Sequence, residues 1–321
     1  MTMFYSDETQ LDDNQAIIEA FWQQNVTCST LTLASDELAY AYAIPPSATQ
    51  AVVISSGRIE CFLKYKELIW EFYCNNYAVF IVDHLGQGLS SRRLSNSHKG
   101  YIESFTEYVD AFGYFIQTVV NPLWPGPKTL LAHSMGSAIA ALYLKTHTQV
   151  FNRAIFCAPM FGIHLGATPL WLATLLVHTL STIGLKKAYL PGQSNYHPKP
   201  FSENQLTHSE VRYQHFRALY HAVPEVQLGG VTIAWLKAAF IATQELANTE
   251  LNLEVLVLQA SDDEIVDNQA QNRWVNRQTH TTLVSFAGAR HELLCEQDAI
   301  RRPVMARIYD FLAPRTTDSG S

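Results

Sequence analysis

The sequence predicts an α/β protein with a mostly parallel, doubly wound sheet and an inserted helical cap. Between Ala51 and Ala158, short apolar or β-branched segments alternate with segments of helix length, which is typical of successive βαβ units. The alternation stops after Ala158 and resumes at Glu254. The chain between these points has helical patterns only, so we expect a cap over the carboxyl ends of the strands, where such sheets bind ligands.

The elements follow from local composition. Four short segments consist mainly of β-branched or apolar residues, as in strands buried on both faces: Ala51–Ser55, Tyr77–Val82, Lys128–Ala132 and Arg153–Ala158. The strand pattern resumes at Glu254–Gln259 and Thr281–Phe286. Helices are predicted at Cys61–Asn75, Glu103–Val120, Met135–His147 and near Ala299–Leu312, and an antiparallel hairpin at Thr30–Ala43. We predict an N-terminal helical segment (1–29), a core (30–159 and 241–314), a cap (160–240) and a disordered tail (315–321).

Composition limits the class of function. The chain has 321 residues, 48% of them hydrophobic, and a net charge of −7, which argues against nucleic-acid binding. Five cysteines without a C-x-x-C pair predict reduced thiols in a reducing compartment: Cys28, Cys61, Cys74, Cys157 and Cys295. The N-terminus lacks the features of a signal peptide, and the longest apolar stretch, Pro169–Leu185, is short for a membrane span. We expect a soluble cytoplasmic protein, with peripheral membrane contact left open.

A candidate nucleophile follows the predicted strand Lys128–Ala132. The chain there reads AHSMGS and continues into a helix of small residues. A serine between a strand and a helix, with small neighbours, is typical of the nucleophile elbow G-x-S-x-G, here with Ala132 in place of the first glycine. We therefore predict Ser134 as the nucleophile; a plain loop serine is the alternative.

The chain order supplies candidates for the base and the acid. A serine hydroxyl needs a base to take its proton, and the base needs a third group to hold its tautomer. With such an elbow the acid and then the histidine follow in loops after later strands. The loop after the fifth predicted strand holds Asp262, Asp263 and Glu264, and the loop after the sixth holds His291. The residues predict His291 as the base and leave the acid open among the three.

Two backbone N–H groups are candidates for the oxyanion hole. One is expected from Met135, after the nucleophile, and the other from the loop SGRIE after the first predicted strand. Gly57 lets the backbone approach a substrate there, so we predict the N–H of Arg58, whose side chain is also a candidate for an anionic substrate group. The side chain of His133 should point away from Ser134. Histidine and carboxylate spacings suggest no metal site, and no cofactor is expected.

Several motifs together resemble a known family. They are VISSGRIE at Val53–Glu60, DHLGQGLSSR at Asp83–Arg92, the elbow, NQLT at Asn204–Thr207, GGVT at Gly229–Thr232 and GARHE at Gly288–Glu292. They resemble the lysophospholipase and monoacylglycerol lipase branch of the α/β hydrolases (serine aminopeptidase-like), most of all the bacterial lysophospholipases. The resemblance implies the α/β-hydrolase fold, Ser134 as nucleophile, His291 as base and Asp263 as acid. Ala132 and Ser137 stand where the branch usually has glycine, and Leu85 where it often has arginine.

The cap bears on the substrate. Pro169–Leu185 has an apolar face that could line an acyl tunnel, contact a bilayer or pack on the core. Residues 160–240 contain six lysines and arginines against three acids, which would attract phosphate head groups or an anionic membrane. We expect a serine esterase that hydrolyses a single-chain lipid through an acyl-enzyme, with lysophospholipid favoured over monoacylglycerol. A lipid acyltransferase, a proline-iminopeptidase-like enzyme and a catalytically silent binding module are the alternatives, and the oligomeric state is left open.

Overall fold

The computed structural model describes residues 3–166 and 168–314, so the tail predicted at 315–321 lies outside the described residues. The described strands are β1 (Thr27–Leu33), β2 (Asp36–Ala43), β3 (Gln50–Ser55), β4 (Tyr77–Val82), β5 (Lys128–His133), β6 (Arg153–Cys157), β7 (Glu254–Ala260) and β8 (Thr281–Phe286). They form one sheet in the order β1-β2-β4-β3-β5-β6-β7-β8. The six segments predicted as strands of the parallel sheet all form strands, with ends within one residue of the expected positions.

The sheet is mostly parallel. β1 pairs with β2 and β2 with β4 in antiparallel fashion, whereas all neighbours from β4 through β3 to β8 are parallel. Parallel strands place their carboxyl ends at one edge, so the loops after β3, β5, β7 and β8 meet there. The predicted fold class is confirmed.

Helices cover both faces of the sheet. The described helices are α1 (Leu11–Asn25), α2 (Lys66–Cys74), α3 (Phe105–Phe115), α4 (Asn121–Leu123), α5 (Met135–Thr146), α6 (Leu170–Leu180), α7 (Glu210–Ala222), α8 (Ile233–Leu246), α9 (Asn268–Val275) and α10 (Asp298–Leu312). Alternate residues of β3 enter different cores. Val53 packs in the cluster that includes α3, α5 and α8, and Val52 packs in the cluster that includes α1, α2 and α10. This two-sided burial explains why central strands such as β3 and β4 consist almost entirely of apolar residues.

The N-terminal segment differs from the prediction. A helical segment was expected through residue 29, but α1 ends at Asn25 and β1 begins at Thr27. The first residues of β1 are polar or small and exposed, so they carry no alternating pattern of apolar side chains. Backbone pairing to Tyr42 and its neighbours in β2, which hydropathy does not report, makes them an edge strand.

The insertion between β6 and β7 is helical, and none of its described residues belongs to a strand of the sheet. It contains α6, α7 and α8. The boundary predicted at residue 240 falls within α8, whose residues Trp235, Ala239 and Leu246 are buried in the same cluster as α3 and α5. Because α8 packs as part of the core, we propose that the cap ends before Ile233.

Two further findings concern the environment of the chain. Among the described helices, none has both the length and the hydropathy that crossing a bilayer requires. All five cysteines are free thiols.

Candidate active site

Ser134 occupies a strained turn between β5 and α5. Its φ and ψ angles are 51° and −119°, a region that a residue with a side chain rarely adopts. The Ser134 N–H donates to the carbonyl of Cys157 at 3.0 Å, and its carbonyl accepts the N–H groups of Ser137 at 3.0 Å and Met160 at 3.1 Å. These bonds hold the turn in place. Gly136 is required there, because a Cβ atom would lie 2.1 Å from the Ser55 carbonyl oxygen.

His291 joins Ser134 to Asp263. Its Nε2 lies 2.9 Å from the Ser134 Oγ, and its Nδ1 lies 2.7 Å from an Asp263 carboxylate oxygen. The serine and the histidine are only 6% and 4% exposed. The structure thus brings together three side chains from the loops after β5, β7 and β8, in a hydrogen-bonded chain that can pass a proton from hydroxyl to imidazole.

Of the three acids that the residues left open, only Asp263 contacts His291. Asp262 instead accepts a hydrogen bond from the Ser261 hydroxyl at 2.6 Å, and Glu264 accepts one from the Gln205 amide at 2.6 Å. The sequence could not separate these neighbours, because the choice depends on the direction of each side chain within one loop.

The Asp263 carboxylate is held in its ionised form. Burial alone would raise the pKa of Asp263, but hydrogen bonding and charge from His291 outweigh it, together with the N–H groups of Ile265 and Val266. Those two N–H groups lie 2.8 and 3.1 Å from the second carboxylate oxygen. The net result is a lowered pKa, so the carboxylate stays charged at neutral pH and can stabilise an imidazolium.

The candidate oxyanion donors border the same cavity as Ser134. Met135 is the first residue of α5, where N–H groups have no intrahelical acceptor. Arg58 lies in the loop after β3, which is shaped by a hydrogen bond from the Gly57 N–H to the Glu60 carboxylate and by a positive φ of 67° at Ile59. We therefore propose that the backbone N–H groups of Met135 and Arg58 are the oxyanion donors.

A buried ionic cluster beneath the site was not predicted. Lys64 Nζ lies 2.8 Å from Glu60 and 2.7 Å from Glu292. His133 links this cluster to the base: its Nδ1 is 3.1 Å from Glu60, and its Nε2 is 3.1 Å from the His291 carbonyl oxygen. Burial alone would lower the pKa of His133, but the Glu60 charge outweighs it and raises the pKa. The spacing of Glu60 and Lys64 was the available signal, yet it does not distinguish a buried pair from a solvated one.

The cavity at the site has a volume of about 700 Å³ and is lined by two sets of side chains. The apolar set consists of Met160, Ile163, Leu165, Leu190, Val231, Leu236, Ile265 and Val266. The cationic and aromatic set consists of Arg58, Tyr196, Lys199, Tyr213, Phe216 and Arg217. Such a cavity can take a molecule with one apolar and one polar end. In the described part of the chain, no group of three or more His, Cys, Asp or Glu side chains could hold a metal ion.

Sheet topology and the serine elbow define the α/β-hydrolase fold. The chain belongs to the serine aminopeptidase S33 family, whose model matches residues 46–298.

Comparisons with individual proteins agree. The chain is 33% identical to lysophospholipase L2 of Escherichia coli K12, over 85% of this chain and 83% of that protein. It is 30% identical to the probable lysophospholipase L2 of Haemophilus influenzae, over 86% of this chain and 88% of that protein. A soluble variant of Saccharomyces cerevisiae monoglyceride lipase, solved with a substrate analogue, superposes with a TM-score of 0.73 at 15% identity, covering 90% of this chain and 95% of that one.

Proposed function

We propose that the protein is a serine hydrolase that cleaves the carboxylic ester of a single-chain lipid, with a lysophospholipid as the favoured substrate. The observation that carries the proposal is the position of His291, within 2.9 Å of the Ser134 hydroxyl and 2.7 Å of the Asp263 carboxylate. A buried serine in a strained turn with such a partner is arranged for nucleophilic attack.

The proposed reaction proceeds through an acyl-enzyme. His291 Nε2 takes the hydroxyl proton as Ser134 Oγ attacks the ester carbonyl carbon, and the N–H groups of Arg58 and Met135 stabilise the oxyanion. Asp263 holds the Nδ1–H of His291 and stabilises the imidazolium. The imidazolium then gives its proton to the leaving glycerol oxygen, and a water activated by His291 releases the fatty acid.

The substrate class is supported by the cavity and by the relatives. The apolar lining residues suit one acyl chain, and the two lysophospholipase relatives match over most of both chains. Monoacylglycerol is the second candidate, because the chain also matches monoglyceride lipases over most of its length. A peptidase that binds a cationic amino terminus would need a free carboxylate at the site. Of the three carboxylates that line the cavity, Glu60 and Glu292 are both bound to Lys64, and Glu203 is an exposed residue.

A turnover panel tests the proposal. We expect the purified protein to hydrolyse lysophospholipids and 1-monoacylglycerols at least about tenfold faster, as kcat/KM, than aminoacyl amides with equal leaving groups, because one missing recognition group typically changes kcat/KM by this much or more. Short p-nitrophenyl esters serve as a control for general esterase activity. Faster turnover of the amides would contradict the substrate class, and no turnover of any ester would favour a silent binding module.

We also propose that α6 rests on the surface of an anionic membrane, and that the protein works in the reducing cytoplasm, where its free thiols persist. In α6 Ala173 and Val177 are buried, and Leu180 is partly buried against the core. The large apolar side chains that are exposed are Leu170, Trp171, Leu172, Leu175 and Leu176 in the helix and Ile183 and Leu185 just after it, and packing on the core does not account for them. Exposed Lys187 follows α6 along the chain. Residues 160–240 contain more cations than acids, and such a charge balance favours contact with an anionic membrane surface.

Replacing Trp171 and Leu175 together by serine is expected to lower hydrolysis of lysophospholipid in anionic vesicles by about tenfold or more, since each lost apolar contact weakens partitioning by about 1.5 kcal/mol or more. Hydrolysis of a dissolved short-chain ester should change little. The matched control is Ile17→Ser, which removes an apolar side chain with 54% exposure from α1. Equal losses in vesicles for the control and the double variant would contradict membrane contact through α6.

A further inference from the structure

We propose that the catalytic cavity binds the phosphate of a lysophospholipid through two guanidinium groups, those of Arg58 and Arg217. The inference rests on the proposed function and specifies the head-group chemistry that the site selects. Both side chains line the cavity that contains Ser134. No carboxylate in residues 3–166 and 168–314 lies within salt-bridge distance of either one, in contrast to the nearby Lys64.

Arg58 is fixed in place by neutral groups. Its Nη2 donates to the carbonyl of Gly229, and its guanidinium lies 5.5 Å from the centre of the Trp235 ring. The buried Nε–H has no acceptor among the described residues. Burial lowers the pKa of Arg58 to about 10, so the group is still charged at neutral pH. A partly buried cation without a counter-ion is unfavourable, and an anionic ligand relieves that energy.

Arg217, on α7, has the same character. Its guanidinium lies 4.7 Å from the ring centre of Tyr213 and 4.8 Å from that of Phe216, and its Nη1 donates to the Tyr196 hydroxyl at 3.2 Å. Its Nε is also buried without an acceptor in the described part of the chain. The neighbours of the guanidinium are neutral rings and hydroxyls, so it has no anionic partner among the described residues, and its planar group suits binding of phosphate oxygens.

The two arginines are connected through a chain of contacts. The ring centre of Tyr196, which contacts Arg217, lies 5.6 Å from that of Tyr220. The Tyr220 hydroxyl in turn donates to the carbonyl of Ile59, the residue after Arg58. The cap helix that carries Arg217 is therefore connected through two tyrosines to the loop that supplies the proposed oxyanion donor.

The charged side chains that line the cavity carry a net positive charge. Among the acids that line the cavity, Glu60 and Glu292 both form ion pairs with Lys64, and Glu60 also contacts His133. Exposed Glu203 is the remaining lining carboxylate. Against it stand Arg58, Arg217 and exposed Lys199, so the lining favours an anion over a neutral head group.

The position of Arg58 matches the geometry of the substrate. In a 1-acyl lysophospholipid roughly six covalent bonds separate the ester carbonyl carbon from phosphorus, and roughly six separate the backbone nitrogen of an arginine from its guanidinium carbon. If the Arg58 N–H receives the oxyanion, its own guanidinium can reach the phosphate. A monoacylglycerol has the same ester but has no anionic group for the two guanidinium groups to bind.

The test is a ratio of two activities. Lysophosphatidylethanolamine and 1-monoacylglycerol with the same acyl chain are compared in mixed detergent micelles, for the wild type, Arg58→Gln and Arg217→Gln. The ratio is kcat/KM for lysophosphatidylethanolamine divided by kcat/KM for 1-monoacylglycerol. We expect each variant to lower this ratio by about tenfold to a hundredfold, because charge-assisted hydrogen bonds to the phosphate are lost. Arg307→Gln, an exposed change on α10, is the matched control and should leave the ratio unaltered.

The outcomes separate the two proposals. If neither lipid is hydrolysed by the wild type, the proposed function fails. If both are hydrolysed and the ratio is unchanged in Arg217→Gln and Arg58→Gln, the phosphate site is overturned while the lipid esterase stands. Inhibitors distinguish a head group from free phosphate: glycerophosphoethanolamine should inhibit more strongly than inorganic phosphate, and the reverse order would overturn the proposal.

Discussion

Replacement of Ser134 by alanine is expected to lower kcat for ester hydrolysis by about 10⁴-fold or more, with little change in KM. The Ser134 hydroxyl lies within hydrogen-bond distance of His291 Nε2, at 2.9 Å. Without it no acyl-enzyme forms, and what remains is the acceleration from the oxyanion donors and from substrate positioning. Steady-state kinetics with a lysophospholipid and with a short ester measure the loss.

Ser137→Ala is the matched control for this variant. Ser137 is fully buried in the first turn of α5, and its hydroxyl has no hydrogen-bond partner in the described residues, so its removal should leave both stability and turnover close to the wild type. Retention of more than a tenth of wild-type kcat by Ser134→Ala, in protein with an unchanged melting temperature, would contradict nucleophilic catalysis by this serine.

Replacement of Asp263 by asparagine is expected to lower kcat by about 10⁴-fold, although the side chain keeps its size. The Asp263 carboxylate lies 2.7 Å from His291 Nδ1 and stabilises the tautomer that carries its proton there. An asparagine can keep the bonds from the Ile265 and Val266 N–H groups through its oxygen and turn its amide toward the imidazole. The proton then moves to Nε2, which can no longer accept one from Ser134.

Asp262→Asn and Glu264→Gln are the controls, since both acids lie in the same loop without contacting His291. We expect kcat within about threefold of wild type for each, because surface changes of this kind alter interaction energies by about 0.5 kcal/mol. The pH dependence of kcat should be recorded for all three variants. If Asp262→Asn or Glu264→Gln lost as much activity as Asp263→Asn, the assignment of Asp263 as the catalytic acid would be contradicted.

The features that the sequence predicted are those that depend on the order of strands, helices and loops along the chain. Strand Tyr77–Val82 is apolar at all six positions because both faces of the sheet are covered, and this made its identity and limits readable. The positions of Ser134 and His291 follow likewise, because loops after parallel strands meet at one edge.

The features that escaped prediction depend on side-chain direction and long-range pairing. Helices α6 and α8 are both apolar in sequence, yet Trp171 on α6 is 69% exposed and Ala239 on α8 is fully buried. Which face each helix buries is decided by neighbours distant in sequence. The burial of Glu60 with Lys64 depends on Glu292, more than two hundred residues away along the chain.

Covalent labelling tests the activation of Ser134 by His291 most directly. Folded wild-type protein and a His291→Ala variant are treated with a fluorophosphonate, digested, and mapped by mass spectrometry. We expect one adduct, on the peptide containing Ser134, formed rapidly in the wild type and at least about 10³-fold more slowly in the variant, because the serine has lost its base. No adduct on Ser134 in folded protein, or an equal rate in the variant, would contradict the account.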